Sequence, residues 1–185
     1  METSESELRA LVERARSADP DAWEALYRRT YPRLFAYARR RVATEMQAED
    51  AVSETMIRAM DRMVDFVWTG AGIDGWFFGI TRNVVYESYR DSSRTTPVDP
   101  SSVPESHERE PSPLDTMMHR EERELVMEAF GRLPIADQEL LEMRIVAGLD
   151  SEQVASMTGR RPGAVRTAQS RALARLRVEF EGLTT

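Results

Sequence analysis

Residues 150–177 read DSEQVASMTGRRPGAVRTAQSRALARLR, and their punctuation decides the architecture around them. Ser151 is a good N-cap for a helix beginning at Glu152, Val154 and Met157 supply its buried side, and Gly159 suits a left-handed helix end. Pro162 then fits the first turn of a second helix, where its missing N–H costs little. A short helix, a tight turn and a longer arginine-bearing helix follow one another, which is the syntax of a helix-turn-helix.

At roughly 100° per residue the second helix gathers Val165, Gln169, Ala172 and Leu176 on one side, flanked by Ala168 and Leu173. Thr167, Ser170, Arg171 and Ala174 occupy the opposite arc, with Arg166 and Arg177 at its margins. Residues 160–177 hold six arginines and no acid. Arginine and small hydroxyl side chains suit phosphate contacts and base edges. The plain alternative is an arginine-rich amphipathic helix facing water, so a second, independent feature is needed.

Composition narrows the choice. The chain has 185 residues, 41% of them hydrophobic and 31% charged, with a mean hydropathy of −0.50. No apolar run approaches a membrane span, and the acidic start lacks the basic and apolar parts of a signal peptide. Cysteine is absent, which excludes a disulfide framework and thiolate metal ligands. These features point to the cytoplasm. Every one of the 25 basic residues is arginine, yet the net charge is −7. That balance is wrong for a free-standing DNA binder, which needs a positive footprint for counterion release. It fits a protein for which a larger complex supplies the nonspecific DNA affinity.

Residues 1–20 suggest a short approach helix or a flexible segment. From residue 21 the apolar period strengthens: Trp23, Leu26, Tyr27, Tyr31, Leu34, Phe35 and Ala38 outline a packed helix, with Pro32 expected to bend or divide it. Its aromatics read as core. Ala48, Val52, Thr55, Met56, Ala59, Met60 and Met63 then give a helix with a soft apolar stripe. Seven acids lie in residues 45–74 against Arg58 and Arg62. Glu49, Asp50 and Glu54 form part of this acidic ridge, and a ridge of this kind can pair with a basic partner. Acid–base or metal chemistry has no support, since no histidine, nucleophile or phosphate cradle lies nearby. After a glycine-rich connection, Asp74 is expected to cap a helix that turns Trp76, Phe77, Ile80, Val84 and Val85 inward. Asn83, Tyr86, Tyr89 and Arg90 alternate outward, as a face for unstacked bases or as ordinary polar surface.

Residues 92–117 are rich in Ser, Thr, Pro and acids, without apolar period, and read as a flexible linker. His107 and His119 lie in or beside it and belong to no metal cluster. Leu125, Val126, Ala129, Phe130 and Leu133 suggest a further helix interrupted by Pro134. Leu140, Leu141, Met143, Ile145 and Val146 supply another, ending at Gly148. The expected fold is therefore all-α: two small helical domains joined by a linker, residues 21–91 and 118–182, the second bearing the helix-turn-helix.

In this order the segments AEDAVSETM at 48–56, GWFFGITRN at 75–83 and the terminal run from LP at 133–134 through residue 177 resemble an extracytoplasmic-function sigma factor, group IV of the family related to primary sigma factors and actinobacterial-like. The resemblance implies a promoter-specificity subunit that binds core RNA polymerase, recognises promoter DNA and takes part in its melting. It needs no cofactor, and an anti-sigma factor is the expected inhibitor. It implies that Glu49, Asp50 and Glu54 dock on the β′ clamp helices, that Asn83, Tyr86 and Arg90 face the −10 region, and that residues 65–75 form the loop that captures a flipped base. Arg161, Arg166, Thr167, Ser170 and Arg171 fall on or near the −35 recognition surface.

The chain departs from the family pattern where Glu87 and Asp91 interrupt a usually basic run. Arg160 takes an often apolar place, Arg161 a cap usually held by Ser or Thr, and Ala168 a commonly basic position. An independent helix-turn-helix regulator that binds duplex DNA without polymerase is the rival reading; an adaptor serving protein binding alone is a second.

Overall fold

A computed structural model describes residues 4–92 and 113–184, with the side chains of 89–92 and 113–120 excluded. All regular structure among these residues is helical. The expected linker at 92–117 lies largely outside them, as does His107. The chain divides into two compact units, each with its own core.

The first unit contains α1 (Glu5–Arg16), α2 (Pro20–Arg39), α3 (Glu45–Arg62), a 3-10 turn (Met63–Asp65) and α4 (Gly72–Ser92). Three of its helices start on side-chain caps. Ser4 and Glu7 form a reciprocal capping box on α1, and Thr44 and Gln47 form another on α3. Asp19 accepts from the amides of Asp21 and Ala22 at the start of α2, with Pro20 at its first position. Residues 5–16 are thus a capped helix packed on α2, with Val12 and Ala15 buried and the Trp23 indole donating to Ala15 O at 2.9 Å.

α3 lies against both α2 and α4, and α2 also meets α4. Between them sit Leu26, Leu34, Val52, Met56, Ile73, Phe77 and Val85, with the Tyr37 and Phe78 rings edge to face at 4.6 Å. Thr30, Thr55 and Thr81 are buried, and each donates its hydroxyl to the carbonyl four residues back. Their polar atoms therefore cost the core no unpaired donor.

Several expectations are corrected here. Pro32 does not divide α2, which runs on from Pro20 to Arg39; its position on the exposed side costs one ladder bond in a helix clamped by three neighbours. Tyr27, Tyr31 and Phe35 are not core. They stack along a half-exposed flank of α2 at 5.1 and 5.5 Å, while Trp23 and Tyr37 are the aromatics of α2 that are buried. Asp74 does not cap α4, which already begins at Gly72, where φ is +61°. Its carboxylate instead receives the Arg29 guanidinium through two bonds, Nε at 3.1 Å and Nη2 at 2.8 Å, with Arg33 at 4.0 Å. This fork ties α2 to the first turn of α4 and raises the Arg29 pKa.

The second unit contains α5 (Pro113–Gly131), α6 (Ile135–Leu141), a π turn (Glu142–Val146), α7 (Ser151–Thr158) and α8 (Pro162–Leu183). α5, α6 and α7 each pack on α8. Ala172 meets Leu133 and Leu141, with Phe130 and Leu176 closing the cluster. Val126 and Ile145, expected inside, are exposed. The segment before Gly148 winds as a π turn, so the helical period shifts and Ile145 swings outward.

Asp74→Ala leaves Arg29 half-buried without its carboxylate and is expected to cost about 1–3 kcal/mol in urea unfolding, whereas an exposed control such as Asp61→Ala changes little. Asp19 has its carboxyl pKa lowered by the Arg14 hydrogen bond and the helix amides. Its contribution is present above the unfolded carboxylate value and is lost as pH falls through the lower folded value. An acid titration of Asp19→Asn against the parent reads that difference.

Candidate nucleic-acid interface

The helix-turn-helix is assembled from local devices. Asp150, not Ser151, caps α7: its carboxylate accepts from the amides of Glu152 and Gln153 at 2.8 Å each, while Gln153 Oε1 receives the Asp150 amide at 2.8 Å. A charged acceptor gains from the positive end of the helix dipole, which a hydroxyl does not. Ser151 is thereby released to accept from Arg166 Nη1 at 3.2 Å, linking the start of α7 to α8. α7 ends at Gly159 with φ +68° and ψ 17°, and the Arg160 amide reaches back to Ala155 O at 3.1 Å.

α8 begins at Pro162 after Arg161, an N-cap residue with no side-chain cap bond. Val165 and Ala172 are buried, and Gln169, polar on the inward face, accepts from Arg144 Nε at 2.8 Å. The same guanidinium donates to Leu149 O, so Arg144 pins the π turn, the loop before α7 and α8 together. Arg161, Arg166, Thr167, Ser170 and Arg171 are all exposed along one side of α8. Thr167 spends its hydroxyl hydrogen on Gly163 O at 3.0 Å and keeps its lone pairs.

The arginines of α8 fall into two classes. Arg175 pairs with Asp137, and Arg177 pairs with Glu181 at 2.8 Å. Arg160, Arg161, Arg166 and Arg171 make no ion pair among the described residues. The uncompensated charge is therefore confined to the turn and the N-terminal half of α8, the part that can enter a groove.

On the first unit, Asn83 and Tyr86 are exposed on α4, with Arg82 5.2 Å above the Tyr86 ring. Arg90 lies near the end of α4, where side chains are outside the described residues. Glu87, out of place in a basic run, has a local purpose. It binds Arg58 Nη2 at 2.7 Å while Glu54 binds Arg58 Nε at 2.6 Å, a network that joins α3 to α4 and raises the Arg58 pKa. Glu54 is thus committed to Arg58, whereas Glu49 and Asp50 project into solvent.

Beside those carboxylates lies an apolar feature on the outer side of α3. Met46, Asp50, Ser53, Ile57 and Met60 alternate at four and three residues and form one exposed seam on α3. Met46, Ile57 and Met60 are 68%, 56% and 52% exposed, with Val64 continuing the line on the 3-10 turn. Glu49 and Asp61 rim it. Met60, expected inside, belongs to this outer seam, because Ala48, Ala51, Val52, Thr55, Met56 and Ala59 already fill the inner one. A second period of three and four was the available signal.

Residues 26–95 match the model for sigma-70 region 2, and residues 123–176 match the model for sigma-70, region 4. The chain belongs to the sigma-70 family. It lies in the branch of extracytoplasmic-function sigma factors. It is 31% identical over 163 residues to the "ECF RNA polymerase sigma factor BldN" of Streptomyces coelicolor, a match covering 88% of this chain and 62% of that relative's length. Its fold is shared with CnrH, solved in complex with the cytosolic domain of CnrY: TM-score 0.68, 22% identity, 94% of this chain and 97% of that one. It is shared also with the sigma factor RpoE of Bartonella quintana, solved with the anti-sigma factor NepR: TM-score 0.62, 21% identity, 85% and 96% covered. No helix among the described residues of this sigma-family chain is long and apolar enough to cross a membrane.

Arg161→Ser separates stability from recognition. A hydroxyl at the N-cap of α8 is expected to add about 1 kcal/mol to the second unit, while promoter binding weakens as an uncompensated charge leaves the surface. Thermal unfolding of the chain and a promoter-binding titration of the same chain assembled with core polymerase test both signs.

Proposed function

We propose that this chain is the promoter-specificity subunit of an RNA polymerase holoenzyme, acting in the cytoplasm and catalysing no covalent step itself. One observation carries the reading: a helix-turn-helix with an uncompensated basic face stands on an acidic chain whose other unit offers an apolar seam rimmed by carboxylates. The first feature reads DNA. The second has no use in reading DNA and suits a protein helix with basic flanks.

The α3 seam docks on core polymerase, on its β′ clamp helices, with Met46, Ile57 and Met60 supplying apolar contact and Glu49 and Asp50 supplying charge complementarity. Glu54 acts mainly by holding Arg58 and Glu87. Once docked, the polymerase provides the general DNA affinity that a net charge of −7 denies the free chain. α8 enters the −35 major groove with Arg161, Arg166, Thr167, Ser170 and Arg171, where a bidentate arginine–guanine pair is worth roughly 1–3 kcal/mol of discrimination. Arg166 exchanges its bond to Ser151 for DNA at that step.

Asn83, Tyr86 and Arg90 of α4, with the loop at 65–75, face the −10 region and capture exposed bases. That capture favours the melted state only by binding it better than duplex. An anti-sigma factor would inhibit by covering the α3 seam or α8, a reading supported by the shared fold with a sigma factor solved in such a complex.

Run-off transcription with core polymerase and a genomic promoter library tests the whole. New starts with shared −35 and −10 sequences are expected, and specific duplex binding without new starts would favour an independent regulator instead. Ile57→Ala with Met60→Ala is expected to weaken core affinity by about tenfold or more, as loss of two central apolar contacts does. Arg166→Ala with Arg171→Ala is expected to leave core affinity unchanged and to remove −35-dependent initiation.

A further inference from the structure

α1 lies outside the residues matched to region 2, so the family likeness gives it no part in promoter recognition. Its side chains nevertheless converge on the segment that follows α3. Arg16 Nη2 donates to Phe66 O at 2.6 Å, and its Nε donates to Met63 O at 3.4 Å, contacts that span fifty and forty-seven residues. The Arg16 side chain is 31% exposed and is aimed by Glu13, whose carboxylate oxygens lie 3.1 and 3.2 Å from Nη1. Two turns earlier, Arg9 stacks over the Trp68 ring at 4.5 Å and is held there by Glu5 at 2.8 Å.

These contacts fix one particular stretch. Phe66 is buried and meets Trp68 at 5.2 Å and Trp76 at 5.1 Å. Val67 and Thr69, which alternate with Phe66 and Trp68, are exposed, and Thr69 Oγ1 accepts the Ala71 amide at 3.2 Å at the entry to α4. Met63–Asp65 is a single 3-10 turn closed by the Phe66 amide on Met63 O at 3.2 Å, and no helix carries the main chain on from Phe66 until α4 begins at Gly72. A guanidinium bound to two carbonyls of such a segment selects one loop conformation among several.

We propose that α1 is a latch on the base-capture loop, with Arg16 as a positioning residue for the −10 specificity of this protein and Arg9 as its auxiliary on Trp68. The proposal rests on the reading of residues 65–75 as the segment that takes an unpaired base. Arg16 touches no DNA in this scheme. It holds Phe66 and Trp68 inward so that Val67 and Thr69 present a fixed rim to the extruded base. Loss of the latch leaves the rim in place chemically but lets it sample other positions, which lowers discrimination between bases more than it lowers attachment to polymerase.

The test uses holoenzyme reconstituted from core polymerase and the full chain, with a promoter pool randomised through the −10 element and read by run-off sequencing. Arg16→Ala, Arg16→Lys and Val67→Ala with Thr69→Ala are compared with the parent, alongside core affinity and melting temperature. Arg16→Ala is expected to reduce base preference at one −10 position by roughly tenfold, the scale of one charge-assisted hydrogen bond, with core affinity unchanged. Arg16→Lys, which retains charge and one donor direction, is expected to recover part of that preference. The same loss in the Val67 and Thr69 variant places the effect in the loop. If the loop variant loses preference and Arg16→Ala retains it, the latch is overturned and the loop reading stands. If neither loses preference, the loop reading itself fails and the latch with it. Uniform weakening over all sequences, with a shallower salt dependence, would mark Arg16 as a phosphate contact and overturn its positioning role.

Discussion

A guanidinium group that donates to two acceptors at once fixes one segment against another at four places among the described residues. Arg29 grips both oxygens of Asp74 and sets α2 against α4. Arg58 spans Glu54 and Glu87 to set α3 against α4, Arg16 spans two carbonyls after α3, and Arg144 spans Leu149 and Gln169 before and within the helix-turn-helix. Helices faced with alanine and methionine slide easily over one another, because their surfaces interlock little. A planar fork with fixed directions removes that freedom.

The second unit gathers this logic onto one helix. α8 supplies the surface on which α5, α6 and α7 pack, and it also presents the basic face to solvent. Small inward residues, Val165 and Ala172, bring its neighbours close, while Gln169 gives Arg144 a polar hold on an otherwise apolar side. Displacing α8 to suit a ligand would therefore disturb the whole core. In the proposed role of α8 as the reading helix, serving also as the scaffold favours recognition by fixed geometry over adaptation.

Much of this was legible in the sequence. The two helical bodies, the turn at Gly159, Pro162 at the helix start and the division of α8 into inner and outer arcs follow from spacing and backbone preference. What failed to show has particular causes. Asp150 and Ser151 are both competent caps one residue apart, and only the dipole and the Gln153 return bond separate them. Asp74 looked like a cap because its true partner, Arg29, lies 45 residues away. Met60 escapes the inward pattern because α3 carries two apolar stripes, and hydrophobicity alone does not say which one meets the core. Tyr27, Tyr31 and Phe35 repeat at helical spacing yet stack on one another along the flank. Local patterns announce elements; the pairings between elements are settled by chemistry distant in the chain.

The arginine forks carry a further consequence for control. A guanidinium stays protonated throughout the physiological range, so none of these junctions opens by titration of its cation. The chain also holds no lysine among its 185 residues. Acetylation, methylation and isopeptide tagging of side-chain amines therefore find no target in the framework or on the reading face. Covalent marking of lysine, a common means of adjusting charge on a DNA-binding surface, is closed to this protein. Its basic face can be silenced by being covered, and it returns to full charge once uncovered.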